Sequence, residues 1–267
     1  MAPSMPRAWG GCPETPENRR ARANDTSDMT TSMPTDPVVL ITGATGGLGR
    51  VTAGAFADGG ARLGLGGTDR DRLAEVAAEI GIPDDRWAEC VSDLTDPTAA
   101  RAAVESVVAR FGRIDGWLHL VGGWAGGTAV VDLDHAEMRD MLDQHLWTTL
   151  NVAQVVVPGM TDRGWGRIVA VTTPFALTPG RRGASYAVAK AAEDTLIRAL
   201  ARELAGTGVT ANLVVVKQID TAHERETAPS SKNASATTPE EIAATLRFLC
   251  SDEAAAINGA RIPLDGR

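Results

Sequence analysis

From Pro37 onward the chain alternates short apolar runs with longer segments whose apolar residues recur at helical spacing. PVVLIT (37–42), ARLGLGG (61–67), RWAECVS (86–92), IDGWLHLVGG (114–123), GRIVAVTT (166–173), GVTANLVVV (208–216) and INGARIPLDG (257–266) read as seven strands. Between them, GLGRVTAGAFADGG reads as a helix closed by Gly59-Gly60, and DRDRLAEVAAEIG as a charged amphipathic helix with a glycine stop. A third helix opens at Thr95-Asp96-Pro97 and runs to Phe111, with proline at the first helical position, where its missing N–H costs nothing. A long helix is predicted from about His135 to Val157, stopped by Pro158-Gly159, and another over SYAVAKAAEDTLIRALARELAG. Thr238-Pro239-Glu240-Glu241 resembles a capping box for a last helix reaching Cys250.

Strands alternating with helices predict a single α/β domain over residues 37–267, with a parallel sheet covered on both faces. Two stretches break the pattern. Residues 222–238 are polar and patternless, and are expected to close over a pocket. The first 36 residues, rich in Pro, Ser, Thr, Asn and Arg, read as a disordered leader, with Met29 and Met33 as alternative starts.

The 43% hydrophobic content of the 267 residues supplies a sizeable core, so composition leaves the α/β reading in place. A net charge of −8 argues against nonspecific nucleic-acid binding, which needs clustered cations. The three cysteines, Cys12, Cys90 and Cys250, show no metal-ligand spacing, so neither a disulfide framework nor a metal site is expected. No apolar run approaches the ~20 residues of a membrane span. The leader lacks the apolar centre of a secretory signal, and the expected location is cytoplasmic.

Candidate chemistry starts at Thr42-Gly43-Ala44-Thr45-Gly46-Gly47-Leu48-Gly49, between the first strand and the first helix. Glycine lets backbone amides approach a pyrophosphate, and the helix N-terminus behind the loop favours negative charge. Nucleotide binding is therefore predicted here. A second feature is ASYAVAK (184–190), which holds the only tyrosine of the chain, Tyr186, and one of three lysines, Lys190. Residues i and i+4 share a helical face, so phenol and ammonium point into one cleft. A phenol with an ordinary pKa of ~10 is a poor base at neutral pH, and a nearby ammonium favours the phenolate. Tyr186 is thus a candidate acid/base.

TGxxxGxG and YxxxK together resemble the short-chain dehydrogenase/reductase family over about residues 37–267, as a divergent member. The resemblance implies a three-layer, doubly wound Rossmann-type sheet of about seven strands in one domain. It implies an NAD(P)-dependent oxidoreductase that interconverts a carbonyl and a secondary alcohol. The family's catalytic serine falls on Thr173, which keeps the hydroxyl, and Lys190 would also hold the nicotinamide ribose. Cofactor contacts fall on Thr42, Gly43, Thr45, Gly47, Leu48 and Gly49 of the loop, and on Thr68, Asp93, Leu94, Gly122, Tyr186, Lys190, Ile219 and Thr221. For Asp93, meeting the adenine and capping the next helix are both open.

Three positions depart from the family pattern. His119-Leu120-Val121-Gly122 replaces its NNAG, and His119 is expected to be a packed, satisfied histidine. His145 stands where a relay asparagine is usual. Titrating near ~6.5, it suits carrying a proton or holding a water, and packing among Met138, Met141 and Thr149 is the other reading. Val216-Lys217 replaces a Pro-Gly pair, leaving Lys217 either beside the site or solvated. Trp124 and Phe175 are candidates to line the pocket. Cofactor choice is weakly specified between NAD and NADP. Arg70 and Arg72 lean it slightly to NADP. By analogy a homo-tetramer or homo-dimer is expected, with a small carbonyl or alcohol substrate and neither nucleic-acid nor membrane partners. The rival reading is a non-redox regulatory or scaffolding nucleotide-binding protein, or a lyase or isomerase, on the same fold.

Overall fold

The computed structural model describes residues 34–265. The leader expected over 1–36 lies, as far as residue 33, outside the described residues. Asp36 is already fastened, to Arg62 at 2.9 Å and Arg86 at 3.1 Å.

Seven strands form one parallel sheet in the order β3-β2-β1-β4-β5-β6-β7. They are β1 (Val38–Thr42), β2 (Arg62–Gly67), β3 (Trp87–Val91), β4 (Gly116–His119), β5 (Gly166–Thr172), β6 (Val209–Val216) and β7 (Arg261–Leu264). The helices are α1 (Gly47–Asp58), α2 (Arg70–Glu79), α3 (Pro97–Phe111), α4 (His135–Leu142), α5 (Thr148–Arg163), α6 (Ala184–Glu203), the short α7 (Glu224–Thr227) and α8 (Pro239–Leu249). The order reverses between β1 and β4, which opens a crevice at the carboxyl ends of those strands.

Strand alternation sorts the core into two layers. Val38, Leu40, Trp117 and Ile168 face α3, α5 and α6. Val39, Ile41, Leu118 and Val169 face α1, α2 and α8. The sheet is therefore buried on both sides, as its near-continuous apolar strands require.

The expected helix over 135–157 is altered at both its middle and its end. It widens into a π-turn over Asp143–Trp147, and Pro158 lies inside α5. Proline normally stops a helix because it lacks the amide and crowds the preceding turn. Here α5 continues because Met160, two residues beyond, is completely buried. The helix ends at Gly164, whose φ of 68° is the left-handed stop. The capping box at Thr238 forms as expected, with reciprocal bonds to Glu241 of 3.0 and 3.3 Å.

Candidate active site

Two adjoining cavities, about 600 and 540 Å³, follow the carboxyl ends of the strands and share Gly43, Gly46, Leu120, Val121 and Gly122. The larger is also lined by Gly47, Leu48, Gly49, His145, Thr173, Tyr186, Lys190 and Ile219, and the smaller by Thr45, Thr68, Asp93 and Leu94. Nearly all the site residues expected from sequence thus meet along one trough. Thr42 and Thr221 do not line it. Thr42 is fully buried, and its hydroxyl accepts from Trp117 Nε1 at 3.3 Å and pairs with His119 Nδ1 at 2.8 Å. It braces β1 to β4. Thr221 is exposed, its methyl lying over Gly47.

The loop between β1 and α1 fits a pyrophosphate. Gly43 has a φ of 84°, and a side chain there would meet the backbone of Leu120 at 2.7 Å. A side chain on Gly49 would collide with the Gly43 carbonyl. Gly46 caps α1 without a side-chain bond, leaving first-turn amides for an anionic oxygen.

Tyr186 lies in the first turn of α6, half-buried, with the rings of His145 and Phe175 edge-on at 5.6 and 6.2 Å. Burial pushes the pKa of the phenol up, and the Thr173 hydroxyl, at the end of β5, draws it down less strongly, so the net shift is upward. Thr173 also accepts from the Phe175 amide at 3.3 Å. Lys190 Nζ donates to the Val171 carbonyl at 2.9 Å and to Glu193 Oε2 at 2.6 Å. Glu193 was not anticipated. Its only sequence signal is an acidic residue three places after Lys190, on the apolar face of the helix.

The π-turn aims His145 into the cleft. Its Nε2 lies 3.1 Å from the Gly123 carbonyl, which only accepts, so Nε2 carries the proton. Nδ1 is then a bare acceptor, buried and without a partner among the described residues. Burial and the Lys190 charge push this imidazole down to about 3. The neutral imidazole is thereby favoured over a proton carrier titrating near pH 6.5. Holding a water at Nδ1 remains chemically apt. His119 packs as expected, bonded through Nδ1 to Thr42 and through Nε2 to the Thr148 hydroxyl at 3.4 Å.

Asp93 does not cap α3. Asp96 does, accepting from the Thr98 and Ala99 amides at 2.7 and 3.1 Å. Asp93 turns back to the Thr95 amide and hydroxyl, which hold its carboxyl below its ordinary value, and it lines the smaller cavity. Lys217 lines the larger cavity and bonds Ser235 at 2.9 Å, tying the strand end to the 222–238 segment. Arg225 fastens that segment further, to the Ala236 carbonyl at 2.7 Å and Glu241 at 2.8 Å. Trp124 and Phe175 both line the larger cavity. Among the described residues no helix is long and apolar enough to cross a membrane, and no cluster of metal-ligating side chains occurs.

Residues 43–266 match the family model described as "Enoyl-(Acyl carrier protein) reductase". Levodione reductase of Leifsonia aquatica is 30% identical over 262 residues, covering 90% of this chain and 97% of that protein. The 3-oxoacyl-(acyl-carrier-protein) reductase of Thermotoga maritima is 29% identical over 238 residues, covering 86% and 96%. Among solved structures, L-sorbose reductase of Gluconobacter frateurii, complexed with NADPH and L-sorbose, superposes with a TM-score of 0.78. It is 26% identical and covers 88% of this chain and 97% of that one.

Proposed function

Because the chain belongs to the short-chain dehydrogenase/reductase family and to its NAD(P)-dependent oxidoreductases, we propose that it interconverts a carbonyl and a secondary alcohol at Thr173, Tyr186 and Lys190. One observation carries this reading. The phosphate loop, the Thr173 hydroxyl, the Tyr186 phenol and the Lys190 ammonium all line one cleft of about 600 Å³.

A nicotinamide cofactor, when bound, would supply or accept the hydride. Thr173 orients the substrate oxygen by a hydrogen bond, and Tyr186 gives that oxygen its proton in reduction or removes it in oxidation. Lys190 would hold the ribose hydroxyls of that cofactor. His145, neutral, keeps an acceptor at Nδ1 for a water on the path that returns the proton to Tyr186. Trp124 and Phe175 offer flat apolar surface to a ring or similarly flat substrate.

The weight between the two nicotinamide cofactors falls on charge. Arg70, the first support for NADP, is paired with Glu89 at 2.6 Å. The cavity beside Thr68 is lined by Asp93, Asp140 and Asp143 and by no basic side chain. That surrounding disfavours a 2′-phosphate and supports NAD over NADP. We expect NADH to bind more tightly than NADPH in a fluorescence titration, and tighter NADPH binding would return the weight to Arg70 and Arg72. A screen of cyclic and aromatic ketones and alcohols with both cofactors, followed at the nicotinamide absorbance, tests the activity. Tight cofactor binding without turnover of any substrate would favour a non-redox role.

A further inference from the structure

Three residues beyond Lys190, on the buried face of α6, stands a carboxylate that the proton chemistry above does not use. Glu193 is completely buried, and its Oε2 accepts from Lys190 Nζ at 2.6 Å. Its Oε1 has no partner among the described residues. A buried carboxylate costs several kcal/mol unless a cation answers it, and Lys190 is that cation. The adjacent Asp194 is taken up elsewhere, by Arg198 at 2.7 Å and Arg261 of β7 at 2.6 Å.

The pairing changes what Tyr186 feels. A lone ammonium one turn away would draw the phenol toward phenolate. Opposite charges 2.6 Å apart act instead as a short dipole, whose field falls off faster than that of a charge. The other groups facing the phenol do not replace the lost positive field. His145, from the π-turn, is neutral, and Thr173, at the end of β5, offers an uncharged hydroxyl. Lys217, beyond β6, is exposed and bonded to Ser235. Burial therefore dominates at Tyr186, and the Glu193 charge pushes in the same upward direction.

We propose that Glu193 is a positioning residue that fixes the Lys190 ammonium against β5 and cancels most of its charge at Tyr186, so that the phenol is a weaker acid than a lone Lys190 would make it and is set as the donor to a substrate carbonyl. The inference rests on Tyr186 being the acid of the proposed reaction. It leaves Tyr186 short of the phenolate, the form that takes a proton from an alcohol, until pH rises.

The chain carries one tyrosine, so near-ultraviolet tyrosinate absorbance titrates Tyr186 directly, without substrate or cofactor. Glu193→Gln removes the negative charge and keeps the shape. Its tyrosinate transition is expected about one pH unit or more below that of the wild type. Glu193→Asp, which keeps the charge, is expected to stay close to the wild type. Coincident transitions in wild type and Glu193→Gln would overturn the proposal, as would an Asp variant that moves as far as the Gln variant. Should Glu193→Gln not fold, Lys190→Met/Glu193→Leu removes both charges together, an exchange buried pairs often tolerate. Its transition is expected near that of the wild type, and a large upward displacement would show that the Lys190 charge had not been cancelled. Tyr186→Phe separates the two failures. Full activity in that variant would sink the catalytic reading, while the titrations still decide the role of Glu193.

Discussion

Replacing Tyr186 by phenylalanine is expected to lower kcat/KM by about 10²- to 10⁴-fold, the range spanned by a positioned general acid. The variant should keep its fold and most of its cofactor affinity. The tyrosine ring packs edge-on against His145 and Phe175, contacts that a phenyl ring preserves. In the proposed assignment cofactor contacts fall mainly on the glycine loop and Lys190, and at Tyr186 the change removes only the phenol oxygen. The effect should therefore fall on kcat rather than on binding of the dinucleotide, separable by steady-state kinetics beside a fluorescence titration. The variant also contains no tyrosine, so any residual alkaline absorbance change in it cannot be phenolate. Activity within a few fold of wild type would take the proton step away from Tyr186 and pass it to a water held by Thr173 or His145.

The parts of this site legible in the sequence depend on local spacing. A glycine loop at a strand–helix junction, a tyrosine and lysine one helical turn apart, and a hydroxyl at the end of β5 each declare themselves within a few residues. Alternation of strands with helices likewise predicts a parallel sheet covered on both faces, in the doubly wound fold that the motifs resemble. What the sequence conceals is set by distant partners. Thr42 looks like part of the phosphate loop, yet its hydroxyl is consumed by Trp117 and His119 across the β1–β4 pair. Pro158 looks like a helix stop, yet burial of Met160 beyond it carries α5 another turn. Glu193 looks like one more charge on a helix, and only the inward rotation of α6 turns it into a counter-ion for Lys190. In each case tertiary burial overrides a sound local rule.

His145 carries the second large expectation, a loss of stability in mild acid. In the folded protein burial and the Lys190 charge push its imidazole down to about 3, whereas an unfolded histidine titrates near ~6.5. Between those two values the unfolded chain binds a proton that the folded chain refuses. The stability tied to His145 is therefore fully present above about pH 6.5 and is lost progressively as pH falls toward 3. At ~1.4 kcal/mol for each pH unit, about 2–3 kcal/mol should disappear between pH 7 and pH 4.5 from this residue alone. His119, also driven well below its ordinary value by complete burial, adds in the same direction. Glu193, whose pKa burial raises, works oppositely, because the folded state accepts a proton there more readily than the unfolded one. The decisive comparison is thus between variant and wild type rather than the absolute slope. Urea denaturation of His145→Asn at pH 7 and pH 4.5 should show a smaller loss than the wild type by roughly the His145 share. The kinetic pH profile should show no break near pH 6.5 assignable to His145. An unchanged acid slope in the variant would mean that His145 already takes up its proton with water's help in the folded state. The bare Nδ1 acceptor would then be gone, and with it the water that this histidine is proposed to hold for Tyr186.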